Sequence, residues 1–177
     1  MMFRRTVTGR FVLRLDDLEK GLLGSLVAQL ADLLAPKAEL DPMAAMVGID
    51  PWAERSDDPA LARLFPDAYS DDDEAASEFR RFTERSLRDL KIANARTALE
   101  TLARAGQKVT LSDAEAQAWL LTLTDLRLAL AARLEIVDDD WQRPEDDDPQ
   151  APNFGVYDWL TYLQESLVQA LIEGPTL

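Results

Sequence analysis

Histidine and cysteine are both missing from these 177 residues. They are the side chains that most readily shuttle protons near neutral pH, act as thiolate nucleophiles or ligate transition metals. Their absence excludes Cys–His and Ser–His catalysis, disulfides, thiol redox switches and zinc sites built on either residue. Glycine is scarce at 7 residues, and none of them forms a glycine-rich phosphate loop or a nucleophile elbow. No uninterrupted apolar run approaches the roughly 20 residues that span a bilayer. Arg10, Arg14, Asp16 and Asp17 follow Arg4 and Arg5 too closely to leave the apolar core of a signal peptide. A cytoplasmic protein without membrane contact is expected. Cations are the minority charge: 19 Lys and Arg against 33 Asp and Glu leave a formal net charge of -14.

What is present points to helices. The chain is 47% hydrophobic, enough for a core of its own, and leucine and alanine dominate that apolar set. The expected fold is mainly α: a helical bundle of about four long and two short helices with an N-terminal β-hairpin, in a single domain over residues 1–177. Within it, residues 1–15 read as the hairpin, 16–137 as the helical core, 138–154 as an acidic loop and 155–174 as the C-terminal helix.

Phe3 to Val7 and Arg10 to Leu15 form the hairpin strands, with Thr8-Gly9 as a two-residue turn in which glycine supplies a positive φ. That turn sets Arg4 opposite Leu13 and Arg5 opposite Val12. The first long helix opens on a capping box, Asp16 with Glu19, and ends before Pro36. Leu18, Leu22, Leu23, Leu26, Val27, Leu30, Leu33 and Leu34 give it a broad apolar face, and Gly21 and Gly24 are read as marking a close helix contact. Asp41-Pro42 and Asp58-Pro59 each join an aspartate N-cap to a proline at the first helical position, opening two short helices. Ser70 caps a long helix, acidic over Asp71, Asp72, Asp73 and Glu74, that stops at Gly106. Ser112 and Glu115 form a second capping box. The helix behind it, running to about Val137, carries Trp119, Leu123, Leu126, Leu130, Leu134 and Val137 on one stripe. Leu121 and Leu128 add a second face, the pattern of a bundle's central helix. A last helix aligns Trp159, Leu160, Leu163, Leu167 and Leu171 and stops at Gly174-Pro175.

An enzyme built from this composition would rely on carboxylates, Ser, Lys, Arg or Tyr. The acids cluster instead at helix starts and in the loop, over Asp138 to Asp140 and Glu145 to Asp148. Capping and solvation account for them there, and the clusters lack the spacing and glycine of a calcium loop. No catalytic, cofactor-binding or metal-binding residue is assigned, no cofactor is expected, and the protein reads as not an enzyme. Charge placement says more. Arg4, Arg5, Arg10 and Arg14 stand in the first fifteen residues without an acid. Arg81, Arg85, Arg88 and Arg96 fall within an arc of about 80° on the second long helix. Glu84 with Arg88, Arg85 with Asp89 and Arg96 with Glu100 are i,i+4 pairs that would make this arc a solvated, internally paired face.

Three segments carry a resemblance: Asp58-Pro59-Ala60-Leu61-Ala62-Arg63-Leu64-Phe65-Pro66-Asp67-Ala68-Tyr69, Glu78-Phe79-Arg80-Arg81-Phe82-Thr83, and Ala118-Trp119-Leu120-Leu121-Thr122-Leu123-Thr124-Asp125-Leu126-Arg127-Leu128-Ala129-Leu130. With the hairpin they span most of the chain, which resembles an uncharacterised actinobacterial family. This domain of unknown function is often encoded beside the ClpS protease adaptor, and the family includes an oxidative-stress regulator. The resemblance implies a non-catalytic regulator of the stress response that acts through protein contact, with a sigma factor as partner. Two other readings stand beside it: a DNA-binding transcriptional regulator using the arginine hairpin or the basic helix face, and an adaptor of the proteolytic machinery. Redox sensing in the family's regulator is attributed to cysteines, so thiol sensing does not carry over to a chain that has none. The candidate partner-contacting residues are Arg80, Arg81, Arg85, Arg88, Asp125 and Arg127. Asp125 and Arg127, on the central helix, each need a partner if buried.

Overall fold

The computed structural model describes residues 2–35, 56–66, 73–136, 144–145 and 147–173, with the backbone alone over 73–82. Its elements are β1 (Arg4–Arg5), β2 (Phe11–Arg14), α1 (Asp17–Leu34), α2 (Pro59–Leu64), α3 (Asp73–Arg104), β3 (Lys108–Leu111), α4 (Asp113–Arg133) and α5 (Ala151–Ile172). The fold is mainly α, as expected, with four long helices and one short one among the described residues. The helix expected at Asp41-Pro42, the cap at Ser70 and the loop acids Asp138 to Asp140 lie outside the described residues.

The hairpin forms, in a different register. Arg4 pairs with Val12 and Arg5 with Phe11, one residue from the expected alignment. The turn is longer than two residues: the Thr6 amide donates to the Arg10 carbonyl at 2.7 Å and the Gly9 amide to the Thr6 carbonyl at 2.8 Å. Val7, Thr8 and Gly9 therefore form a three-residue loop, closed by Gly9 at φ +77°, a conformation that glycine adopts without strain. The Thr6 hydroxyl reinforces it by accepting the Arg10 amide at 3.1 Å. Because side chains alternate along a strand, this register decides which arginine faces the core. Arg5 lies on the inner side, its guanidinium 5.3 Å from the centre of the buried Phe11 ring, and Arg4 lies on the outer side.

A third strand was not anticipated. β3 pairs antiparallel with β2, from Phe11 opposite Leu111 to Arg14 opposite Lys108, giving a sheet of order β1-β2-β3. Its signal was in the sequence: Lys108-Val109-Thr110-Leu111 alternates exposed and buried residues, and two of the four are β-branched.

Helix starts follow their chemistry. Asp16 and Glu19 cap α1 reciprocally, as do Ser112 and Glu115 at α4, and Asp58 accepts from the Ala60 and Leu61 amides at the start of α2. The C-terminal helix begins at Ala151, four residues before the expected start, because Pro152 fits a first turn whose amide would be unpaired anyway. α4 ends at Arg133 rather than near Val137. Glu135 turns left-handed at φ 57°, and the Ile136 amide bonds back to the Ala131 carbonyl at 2.9 Å. This Schellman closure sends Leu134 and Ile136 into a small cluster with Phe154 of α5.

α4 is the central helix, packing against α1, α2, α3, α5 and β3. Around it the core gathers Phe3, Phe11 and Leu13 from the sheet, Leu23, Val27, Leu30 and Leu34 from α1, and Leu160, Leu163 and Leu167 from α5. Trp119 is its largest member; its indole N–H donates to the Thr101 hydroxyl at 2.7 Å, and it forms a T-shaped pair with the Phe3 ring, centroids 5.8 Å apart. The buried stripe on α1 is narrower than expected, with Leu18 77% exposed. Gly21 and Gly24 do not mark a close contact, since a Cβ at either would meet nothing within 4 Å. Leu121, expected on a second apolar face, is exposed.

Candidate functional site

Of the charged residues singled out in the helices, Arg88 and Asp125 are buried and Arg127 is half-buried. Arg88, 5% exposed, donates to the Leu34 carbonyl at the end of α1 at 2.9 Å and to Glu84 at 2.8 Å, and its guanidinium lies 4.4 Å from the Phe65 ring centre. One side chain thus holds α1, α3 and the segment after α2 together. The Glu84–Arg88 pair forms as the spacing predicts, yet it is buried rather than solvated. Arg88 is thereby removed from the basic arc, which keeps Arg85 and Arg96 as exposed members; the side chains of Arg80 and Arg81 lie outside the described residues.

Asp125, 4% exposed, receives a 2.5 Å bond from Lys91 of α3, whose ammonium is also 5.9 Å from the Phe65 ring centre. Burial raises the Asp125 carboxyl above its ordinary value, and Lys91 opposes that rise. Arg127 points the other way. It donates to Thr161 at 2.9 Å, Gln164 at 2.5 Å and Tyr157 at 3.4 Å, all on α5, and lies over the Tyr157 ring. Gln164 in turn donates to Thr124 at 2.7 Å. The triplet Asp125-Leu126-Arg127 therefore sends successive side chains to α3, to the core and to α5. Its unusual polarity is that of a helix clamped on two sides. Lys91 and Phe65, which complete these clamps, were not singled out in the sequence, because only the α3–α4 pairing brings Lys91 to Asp125 and only the placement of α2 brings Phe65 to Arg88.

Outward-facing cations collect elsewhere. On the outer face of the sheet, alternation places Arg4 of β1, Arg14 of β2 and Lys108 of β3, together with Arg10 at the turn; all four are exposed. Val12, Thr110 and Thr6 lie between them, so the face carries no acid. Among the described residues none of the four cationic side chains makes an ion pair or hydrogen bond. Arg5, by contrast, faces inward and reaches Asp113 at 3.5 Å. Sequence reading found the arginines but missed Lys108 with its strand.

A groove of about 520 Å³ runs between α1, α4 and the start of α2, lined by Leu26, Leu30 and Leu33 on one side and Leu126, Leu130 and Arg133 on the other. Asp58 and Asp32 stand at its rim. Among the described residues no three carboxylates converge as a metal site, and no helix is long and apolar enough to cross a membrane.

The model of a domain of unknown function, DUF2017, matches residues 1–171. The chain belongs to the DUF2017 family. Relatives carry a functional name. The chain is 37% identical over 171 residues to the AosR-type protein of Mycobacterium leprae, covering 87% of this chain and 79% of that one. It is 36% identical over 169 residues to the oxidative stress regulator AosR of Mycobacterium bovis and of Mycobacterium tuberculosis, covering 86% of this chain and 76% of each. No solved structure matches the chain. Two of the DUF2017 segments that carried the resemblance meet in space: α2 packs on α4, and Phe65, one residue beyond α2, receives Arg88 and Lys91.

Proposed function

We propose that this DUF2017 protein is a non-catalytic regulator of the stress response that works by contact with another protein in the cytoplasm, the partner we propose being a sigma factor. The names of its relatives support the stress-response part of this reading. One structural observation supports the contact part: four cations, unpaired among the described residues, stand together on the sheet of a chain whose net charge is -14. Arg88, Asp125 and Arg127 of the helices, by comparison, are held by neighbours within the fold.

Affinity capture with the full chain from its native cytoplasm, followed by mass spectrometry, tests the reading. A sigma factor enriched with the wild type and lost with Arg14→Glu plus Lys108→Glu is the expected result. Equal recovery with both chains would sink the role given to the sheet, and recovery of no transcription protein would sink the regulatory reading. The same cations favour one second reading, direct DNA binding. Four cations neutralise at most four phosphates, so log K should fall with log salt at a slope no steeper than about -3.6. Absence of any salt-dependent shift with duplex fragments removes that reading. The adaptor reading draws on no feature of the described residues.

A further inference from the structure

The Leu15 amide donates to the Gln107 carbonyl at 3.0 Å, which makes residues 15 and 107 a hydrogen-bonded pair of the β2–β3 ladder. Hydrogen-bonded pairs recur every second residue, so Leu13–Val109 and Phe11–Leu111 follow, while Arg14–Lys108 and Val12–Thr110 are non-bonded pairs. Two consequences arise. The peptide groups of Lys108 and Thr110 point away from β2, at the outer edge of the sheet, and among the described residues neither has a hydrogen-bond partner. Arg14 and Lys108, directly opposite in a non-bonded pair, bring two like charges to the closest cross-strand spacing with no acid between them. Like charges in that position disfavour the sheet unless something negative joins them.

The other edge is closed. β1 packs on α5, and the Phe3 amide donates to the buried Ser166 hydroxyl at 3.2 Å. Among the described residues only β3 offers a free ladder edge, and it does so beside the cationic face.

We infer that the β3 edge takes up an extended acidic peptide segment of a partner protein as a fourth strand. Its backbone bonds to Lys108 and Thr110, and alternate carboxylates reach Lys108 and Arg14. The edge lysine repels a second cationic strand, which keeps copies of this chain from pairing there, and favours an acidic one. Val12 and Thr110 leave the face without an aromatic platform, so it is not built to stack bases. This inference rests on the protein-contact reading and names the surface and the chemistry of the contact.

The test uses the full chain and a synthetic peptide that alternates glutamate with threonine, followed by fluorescence anisotropy. Arg14→Glu with Lys108→Glu should weaken binding at least about tenfold. Thr110→Pro is the more selective variant. Its amide faces outward, so proline leaves the β2–β3 ladder intact while removing the donor an added strand needs, and binding should again fall about tenfold or more. Circular dichroism and melting temperature check that each variant folds. Loss of binding in the charge reversal but not in Thr110→Pro overturns strand addition. Binding of a duplex oligonucleotide in preference to the peptide overturns the choice of partner, as does a dimer of the wild type that Thr110→Pro dissociates. Capture of a sigma factor that Thr110→Pro leaves undisturbed overturns this inference while the contact reading stands.

Discussion

Changing Asp125 to asparagine keeps the side chain's shape and removes its charge, which leaves the Lys91 ammonium without its carboxylate in a site where the two side chains are 14% and 5% exposed. Removing one partner of a buried ion pair costs about 3–5 kcal/mol, because the remaining charge is desolvated without compensation. Lys91 retains some access to water and lies near the Phe65 ring, so the lower end applies, about 3 kcal/mol. For a chain of this size that corresponds to a fall in Tm of roughly 6–12 °C, a large share of a total stability on the order of 5–15 kcal/mol. Circular dichroism melts at neutral pH, with urea titrations for the free energy, measure it. The double change Lys91→Met with Asp125→Leu replaces the pair by apolar groups of similar size and should return the stability to within about 1 kcal/mol of the wild type or above it. Asp125→Asn with an unchanged Tm would refute the reasoning. Asp125 would then not be held by Lys91.

Other outcomes follow from the same geometry. Gly21→Ala and Gly24→Ala, at helix positions with open space around the new methyl group, should each stabilise by about 1 kcal/mol in urea titrations. Loss of stability in either would mean that α1 is approached more closely than its surroundings show. Glu135→Gly relieves a left-handed residue at the end of α4 and should raise stability by roughly 0.5–1 kcal/mol; a decrease would argue against the Schellman closure. The Glu115 carboxyl gives a pH dependence. Burial pushes it up, but the Ser112 amide, Arg104 and the Ser112 hydroxyl outweigh that and hold it below 4.5. Its contribution is complete above the ordinary value and is lost as pH falls through the lowered one. Urea midpoints from about pH 3 to about pH 6 should lose that slope in Glu115→Gln, and an unchanged profile would contradict the assignment.

Local rules were legible where a few neighbouring residues suffice. The capping boxes at Asp16–Glu19 and Ser112–Glu115 and the aspartate cap before Pro59 stand where side-chain chemistry puts them. Pro152 could have been read the same way and was assigned to the loop instead. The hairpin register failed because turn length is set by the Thr6–Arg10 closure, a backbone pairing that Thr8-Gly9 alone does not reveal. β3 was lost between two strong helix signals, although its four residues alternate. The site was hardest to read, because periodicity says which face a residue occupies but not which neighbour meets it. Arg88 and Arg85 lie within one arc of α3, yet one is clamped on Phe65 and the other is exposed, a distinction made by α1 and α2 rather than by α3 itself.

The central claim is that the helix charges hold the fold and the sheet makes the outside contact. Amide hydrogen exchange of the full chain, alone and with the sigma factor captured by it, tests this most directly. The account predicts that the outward amides of Lys108 and Thr110 exchange quickly in the free chain and slow on binding, with little change around Arg88, Asp125 and Arg127. Protection confined to the α3–α4 helices, with β3 unaltered, would contradict it.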